Sequence, residues 1–152
     1  MTRANVFEGE WEYDLERERL RGRTVSIPAG ARELVVDAYE LAPGSPGYDL
    51  HAHYGIEELF VVLRGRPTLR TGDGEEQLEP GDVVACPRGR EGMHTIANRS
   101  DEPALVLAVS NVGYPDVVVY PERGTLGVAT RSRWEPLAPG EDPGIVGRFP
   151  LP

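Results

Sequence analysis

Residues 51–65 read HAHYGIEELFVVLRG, and they decide the interpretation of the whole chain. Two of its three histidines, His51 and His53, stand one residue apart just before the most apolar stretch. Side chains two residues apart in an extended strand point to the same face. We therefore expect the two imidazoles to project together, close enough to share one ion. Gly55 lets the chain bend before the apolar stretch begins.

A pair of glutamates, Glu57 and Glu58, opens that apolar stretch. Both faces of the strand are otherwise apolar, so one carboxylate must enter the interior or lie at its rim. A buried carboxylate needs a cation or several hydrogen-bond donors, and the two nearby histidines are a reason for it to be there. Strand alternation places Glu58 on one face with Phe60 and Val62. The bulky ring of Phe60 predicts that this face is the pocket side and that Glu58 points inward.

The third histidine, His94, lies in a second stretch, GDVVACPRGREGMHTIAN, which spans residues 81–98. Its spacing is G-x5-P-x-G, followed by H-x3-N, and the spacing of the first stretch is H-x-H-x4-E-x6-G. Together the two patterns resemble the paired motifs of the cupin superfamily. This resemblance implies an all-β protein, a small double-stranded β-helix (jelly-roll) barrel.

The resemblance covers roughly residues 30–112, and it differs from the usual motifs in two places. The leading glycine of the first motif would be Gly44, one residue further upstream than is common. Four residues rather than two separate Gly89 from His94 in the second motif. Two additional loop residues cost little free energy, but the orientation of His94 depends on how this longer loop folds.

The resemblance implies a metal site at the barrel mouth with His51, His53, Glu58 and His94 as its ligands. Imidazole and carboxylate groups suit one divalent transition metal, such as Zn, Ni, Mn, Fe or Cu, and four protein ligands leave positions open. Such a centre can chelate a small molecule through two oxygens or polarise one of them. The residues expected to line the pocket are Tyr48, Phe60, Val62, Val84, Leu105 and Leu107.

Outside these two stretches, short apolar runs alternate with turn signals, in a chain with 18 glycines and 14 prolines. Ten strand candidates at intervals of about 8 to 12 residues are typical of a sandwich or barrel. By contrast, DLERERLRGR (residues 14–23) is compatible with a turn or two of helix. The candidates are RTVSI, ELVVDAYEL, EELFVVLR, PTLRT, EQLEP, DVVAC, HTIAN, ALVLAVSNV, DVVVY and LGVAT.

We expect one cupin domain over residues 1–152, with an N-terminal extension (1–22), the motif-bearing barrel (about 30–112) and a C-terminal strand and tail (113–152). Residues 131–152 lack periodicity and are expected to form a tail that is either loosely ordered or laid along the surface through Trp134 and Phe149. The run DVVVY has no obvious partner inside the motif region. Exposed strand edges need protection, so we expect a homodimer to which residues after Asn111 contribute.

The charge and cysteine content exclude several classes of partner. The formal net charge of −9 opposes binding to nucleic acid and to anionic membranes. A single cysteine, Cys86, rules out an intramolecular disulfide and fits a reducing compartment. The first 20 residues have no apolar segment of the kind found in signal peptides. We therefore expect a cytoplasmic protein that binds a small molecule.

A fold by itself does not determine the function of a protein, and the sequence leaves two hypotheses about function open. One is a metal-dependent enzyme that isomerises a sugar or sugar phosphate, or oxidises it as a dioxygenase. The other is a non-catalytic module that binds a small molecule. All three histidines are used as ligands, so the remaining candidates for a general base are Tyr39, Tyr48 and Glu57.

Overall fold

Almost all regular structure in the protein is β-strand. The computed structural model describes residues 1–130 and 146–151. A short helix, α1 (Ser26–Ala29), and two 3₁₀ turns (Arg90–Gly92 and Pro121–Arg123) accompany the strands in these residues. The strands are β1 (Tyr13–Leu15), β2 (Leu20–Thr24), β3 (Leu34–Leu41), β4 (Ala52–His53), β5 (Glu58–Arg64), β6 (Thr68–Thr71), β7 (Glu75–Gln77), β8 (Val83–Cys86), β9 (His94–Ala97), β10 (Ala104–Asn111), β11 (Asp116–Tyr120), β12 (Thr125–Ala129) and β13 (Val146–Pro150).

The strands form three sheets in which every pairing is antiparallel. The largest has the order β1-β2-β3-β10-β5-β8, the second β13-β12-β11-β4, and the third β7-β6-β9. Neighbours in these sheets are often distant in sequence, which is typical of a closed jelly-roll architecture rather than a simple meander. No helix among the described residues is long and apolar enough to cross a membrane.

The core lies between the sheets, and β5 and β10 supply its centre. Their register pairs Phe60 with Ala108 and Val62 with Val106, and all four side chains are buried in one cluster. The register shifts between Leu105, which pairs with Arg64, and Val106, which pairs with Val62. Cys86 is also buried in this cluster, as expected for a small core residue.

Local structure in two loops explains two residues of the motif pattern, Gly65 and Asn98. Gly65 has φ +77°, and a Cβ there would lie 2.5 Å from the carbonyl oxygen of Pro103, so only glycine fits. Asn98 is fully buried, and its amide donates to the carbonyl oxygens of Leu41 and Glu102. It thereby anchors the loop that follows β9.

The N-terminal extension differs from the expectation of a helical segment. Residues 14–23 form most of a hairpin, in which Tyr13 on β1 pairs with Gly22 on β2. The expected strand RTVSI ends at Thr24 and gives way to α1. The hairpin extends the largest sheet at β3.

The C-terminal strands also differ from expectation. The run DVVVY, expected to lack a partner inside the motif region, forms β11 and pairs with β4 and β12. This pairing places Val118 opposite His53. At the other edge, β13 pairs with β12, and Phe149 on it is 45% exposed. Trp134 lies outside the described residues.

Candidate metal centre

Three histidines converge on one carboxylate at the end of the barrel. His51 and His94 form an isolated antiparallel bridge, His53 ends β4, and Glu58 begins β5. The Nε2 atoms of His94, His53 and His51 lie 3.2, 3.3 and 3.8 Å from Oε2 of Glu58. Ligand atoms of His51, His53 and Glu58 all lie within 4.8 Å of one another. His94 joins this group through its contact with Glu58.

Backbone carbonyls orient two of these imidazoles. Nδ1 of His51 lies 2.8 Å from the carbonyl oxygen of Asp49, and Nδ1 of His94 lies 2.8 Å from that of Gly92. A carbonyl only accepts, so Nδ1 must carry the proton in both rings, and Nε2 is left facing Glu58. The longer loop of the second motif supplies Gly92 at the end of a 3₁₀ turn. The additional residues therefore help to aim His94 at the site.

A carboxylate that the sequence reasoning missed orients the third imidazole. Nδ1 of His53 lies 2.6 Å from Oδ2 of Asp116, the first residue of β11. The other oxygen of Asp116 accepts a hydrogen bond from the backbone N–H of Gly55 at 2.8 Å. No local sequence signal marks Asp116, because the pairing of β11 with β4 creates the contact.

The electrostatics of the cluster couple Glu58 to the imidazoles. Burial would raise the pKa of Glu58, but the facing imidazoles of His51 and His94, with the charge of His53, hold this pKa well below its usual range. Burial would likewise lower the pKa of His94, yet the neighbouring Cys86 and Glu58 raise that pKa to about 10. Both shifts favour opposite charges on Glu58 and His94 while no metal is bound.

These residues fit a divalent metal ion. Oε2 of Glu58 and Nε2 of His94 are buried and have no hydrogen-bond partner among the described residues, because their approach at 3.2 Å lacks hydrogen-bond geometry. Ligand atoms that lie about 2.0 to 2.2 Å from a shared ion, at right-angled or tetrahedral positions, are about 2.8 to 3.6 Å apart. Two of the three separations fall in this range. An ion would satisfy both orphaned atoms at once.

Glu57 points away from the cluster. Its side chain is exposed, and its backbone N–H donates to Oδ1 of Asn111 at 2.8 Å. The orientation of Glu58 toward the imidazoles follows the strand alternation used in the sequence analysis. Glu57 is therefore a poor candidate for a general base in this cavity.

A cavity of about 420 Å³ lies over the histidines and Glu58. Tyr48 and Phe60 line it as expected, but Val62, Val84, Leu105 and Leu107 do not. Val62 is buried deeper in the core, and Val84 packs against that core. On β10 the inward residue is Val106, which places Leu105 and Leu107 on the opposite face.

Tyrosines form much of the cavity wall. Tyr39 donates to Oδ2 of Asp37 at 3.3 Å, and its ring meets that of Tyr48 edge-on at 5.8 Å. Burial raises the pKa of Tyr39 well above its usual value, so this phenol serves as a hydrogen-bond donor rather than a base. Tyr13 reaches the cavity because Gly22 has no side chain, so that the Tyr13 hydroxyl lies in the space that a Cβ of Gly22 would fill.

Comparisons with known proteins support the same architecture. Residues 38–110 match the family model described as "Cupin domain", and no curated protein matches the sequence. A provisionally assigned sugar phosphate isomerase from Acidithiobacillus ferrooxidans is 23% identical, with a TM-score of 0.75 over 86% of this chain and 84% of that one.

Two further solved structures are similar. A sugar phosphate isomerase of the cupin superfamily from Silicibacter pomeroyi is 25% identical, with a TM-score of 0.71 over 81% of this chain and 83% of that one. The polyketide cyclase RemF from Streptomyces resistomycificus is 23% identical, with a TM-score of 0.64 over 76% and 83% of the two chains. The likeness confirms the double-stranded β-helix fold that the motifs predicted.

Proposed function

Because this chain carries a small cupin domain, we propose that it binds one divalent transition metal through His51, His53, Glu58 and His94. The metal-dependent site then holds a small oxygenated molecule in the cavity above. The observation that carries this proposal is the convergence of three imidazole Nε2 atoms on the buried, unsatisfied Oε2 of Glu58.

The chemistry of the four residues supports Zn, Ni, Mn, Fe or Cu as the ion, since imidazole with one carboxylate suits all five. When bound, such an ion supplies a Lewis acid with open positions for two oxygens of a ligand. The protein's own groups fix the ligand geometry: Asp49 and Gly92 orient two imidazoles and Asp116 the third. A pre-oriented set of this kind lowers the cost of ordering side chains on binding.

The cavity wall supports a sugar-like ligand. Tyr13, Tyr39, Tyr48 and Thr95 line the space, and each carries a hydroxyl group. Phenol rings offer a flat apolar face and a polar tip, a combination that suits the C–H faces and hydroxyls of a polyol. The two isomerase-like neighbours are compatible with this substrate class, whose identity in this chain is our proposal.

An enzyme is favoured over a non-catalytic module by one observation. The Tyr39–Asp37 hydrogen bond connects the cavity wall to a carboxyl whose pKa is raised by burial. Such a pair can relay a proton without using a metal ligand: the oxygen of Tyr39 accepts a proton from a bound ligand as its own proton passes to Asp37, which is the base. We therefore propose a metal-dependent isomerase, with a dioxygenase or a ligand-binding module as the alternatives.

Metal analysis of the purified protein tests the metal site. We expect about one transition metal ion per chain. The double variant His51→Ala/His53→Ala should lose it, while Asp82→Asn, which alters a turn carboxylate bonded to the N–H of Glu79, should retain it. Unchanged metal content in the double variant, with its circular dichroism intact, would contradict the site.

Activity assays with the metal-loaded protein separate the functional alternatives. Aldose or ketose substrates in D₂O, followed by NMR, report isomerisation through solvent deuterium at the carbon next to the carbonyl. Oxygen consumption reports a dioxygenase. Tight, metal-dependent ligand binding with neither reaction would favour the non-catalytic module.

A further inference from the structure

Among the residues that the structure describes, three arginines line the cavity mouth: Arg17, Arg123 and Arg148. They come from the β1–β2 turn, the 3₁₀ turn after β11, and β13, so the fold brings together residues far apart in sequence. The arginines around the β5–β6 hairpin are different. Arg64 and Arg66 pair with the surface residues Glu40 and Glu79 and do not line the cavity.

Arg148 is placed in a row of stacked groups that begins at the metal centre. The ring of Tyr120 stacks on that of His51 with centroids 5.8 Å apart and planes 26° apart. The guanidinium of Arg148 lies 4.6 Å from the centre of the Tyr120 ring. These separations put the guanidinium at most 10.4 Å from the centre of the His51 ring. Among residues 1–130 and 146–151 it has no carboxylate partner.

The other two arginines share one carboxylate. Nε of Arg123 lies 2.5 Å from Oδ2 of Asp49, and a terminal nitrogen of Arg17 lies 3.4 Å from Oδ1 of the same residue. Glu18 is the second acid at the mouth, 3.8 Å from Arg17. At the mouth, three guanidinium groups of the described residues therefore face two carboxylates, while the third acid of the cavity, Glu58, lies among the imidazoles.

We propose that Arg148 and Arg123, held beside Tyr120 and Asp49, form a subsite for an oxyanion at the far end of the metal-bound molecule. The inference rests on the proposed function, because the near end of the ligand is held at the metal. Arginine presents several N–H donors in a fixed plane and binds phosphate or carboxylate through paired, charge-assisted hydrogen bonds. The ligand class is therefore an oxygenated, sugar-like chain with a terminal phosphate or carboxylate.

A matched set of three ligands tests this inference. Gluconate, glucarate and 6-phosphogluconate share one end, a hydroxyl next to a carboxylate that can chelate a metal. Their far ends carry a hydroxyl, a carboxylate and a phosphate. Calorimetric titration of the zinc-loaded protein should give an affinity about tenfold or more higher for an anionic far end, as expected for charge-assisted bonds to arginine. The order of glucarate and 6-phosphogluconate identifies which oxyanion the subsite prefers.

Variants assign the preference to the arginines. In Arg148→Gln and Arg123→Gln the ratio of 6-phosphogluconate to gluconate affinity should fall toward one. Arg148→Lys should keep only part of the preference for 6-phosphogluconate, because an ammonium group lacks the planar fork of a guanidinium group. Arg99→Gln is the matched control, since Arg99 pairs with exposed Glu75 and is outside the cavity; it should keep the full ratio.

The outcomes distinguish the two proposals. Equal affinity for all three ligands in the unsubstituted protein, or a ratio unchanged in both glutamine variants, overturns the oxyanion subsite and leaves the metal site standing. Binding that is the same with and without zinc, or absent for all three ligands, overturns the proposed function and the subsite with it.

Discussion

Nδ1 of His53 lies 2.6 Å from a carboxylate oxygen of Asp116, a residue 63 positions later in the chain. The contact exists because β11 pairs with β4 and brings Val118 opposite His53. A strand outside the two motifs thus orients an imidazole inside the first one. The C-terminal part of the protein is therefore part of the site's architecture rather than an appendage.

Replacing Asp116 by Asn should weaken metal binding about 10- to 100-fold, because the group that orients His53 and increases its basicity loses its charge. Asn keeps an acceptor for the N–H of Gly55, so the local backbone should hold. Competition with a chromophoric chelator measures the change. Asp82→Asn provides a control at a turn, and an unchanged affinity in Asp116→Asn would mean that this contact does not support the metal site.

Replacing Glu58 by Gln should remove most of the metal affinity, whereas replacing Glu57 by Gln should cost about tenfold or less. The reason is orientation: Glu58 faces the imidazoles, while Glu57 is exposed. The same chelator competition, with thermal unfolding to verify the fold, compares the two variants. If Glu57→Gln were the more damaging substitution, the assigned strand face would be wrong.

Metal affinity should rise with pH between about 6 and 8, by up to tenfold per unit for each proton displaced. The metal-free protein holds a proton on His94, whose pKa is raised to about 10, and a metal ion must displace it. Isothermal titration in buffers of different ionisation enthalpy counts the protons released. A pH-independent affinity with no proton release would contradict His94 as a ligand.

The raised pKa of His94 has the opposite effect on the stability of the metal-free protein, which should fall as the pH rises. The pKa of His94 is raised on folding, so its contribution is fully present below the unfolded value of about 6.5 and is lost as the pH rises toward 10. Denaturant unfolding of metal-free protein at pH 6 and pH 9 should therefore show a decrease in stability. With metal bound, the dependence should reverse, because the ion then binds more tightly at high pH.

We predict that the protein is a homodimer, with residues after Asn111 contributing to the contact. The original reason, an unpaired DVVVY strand, does not apply, because β11 has neighbours on both sides. The exposed apolar side chains of Val112 and Tyr114 at the end of β10 support the same location. Sedimentation velocity at micromolar concentration should give about twice the 16.7 kDa chain mass, and a monomer would exclude the dimer.

Local patterns in the sequence were sufficient to predict the all-β architecture, most strand positions and the residues that converge on Glu58. Alternation along β5 places Glu58, rather than Glu57, with Phe60 because side-chain direction in a strand has a period of two. Turn residues such as Gly65 mark backbone positions where a side chain does not fit. These are short-range effects, and a single sequence contains them.

Tertiary structure decided what surrounds that cluster. On β10 the inward face carries Val106, whereas Leu105 and Leu107, which the sequence analysis placed in the pocket, lie on the opposite face. Asp116 and Arg148 reach the site only because β11 and β13 join one sheet. Such contacts depend on which strands pair and in what register. Those choices are set by the packing of the whole barrel, and no local sequence spacing encodes them.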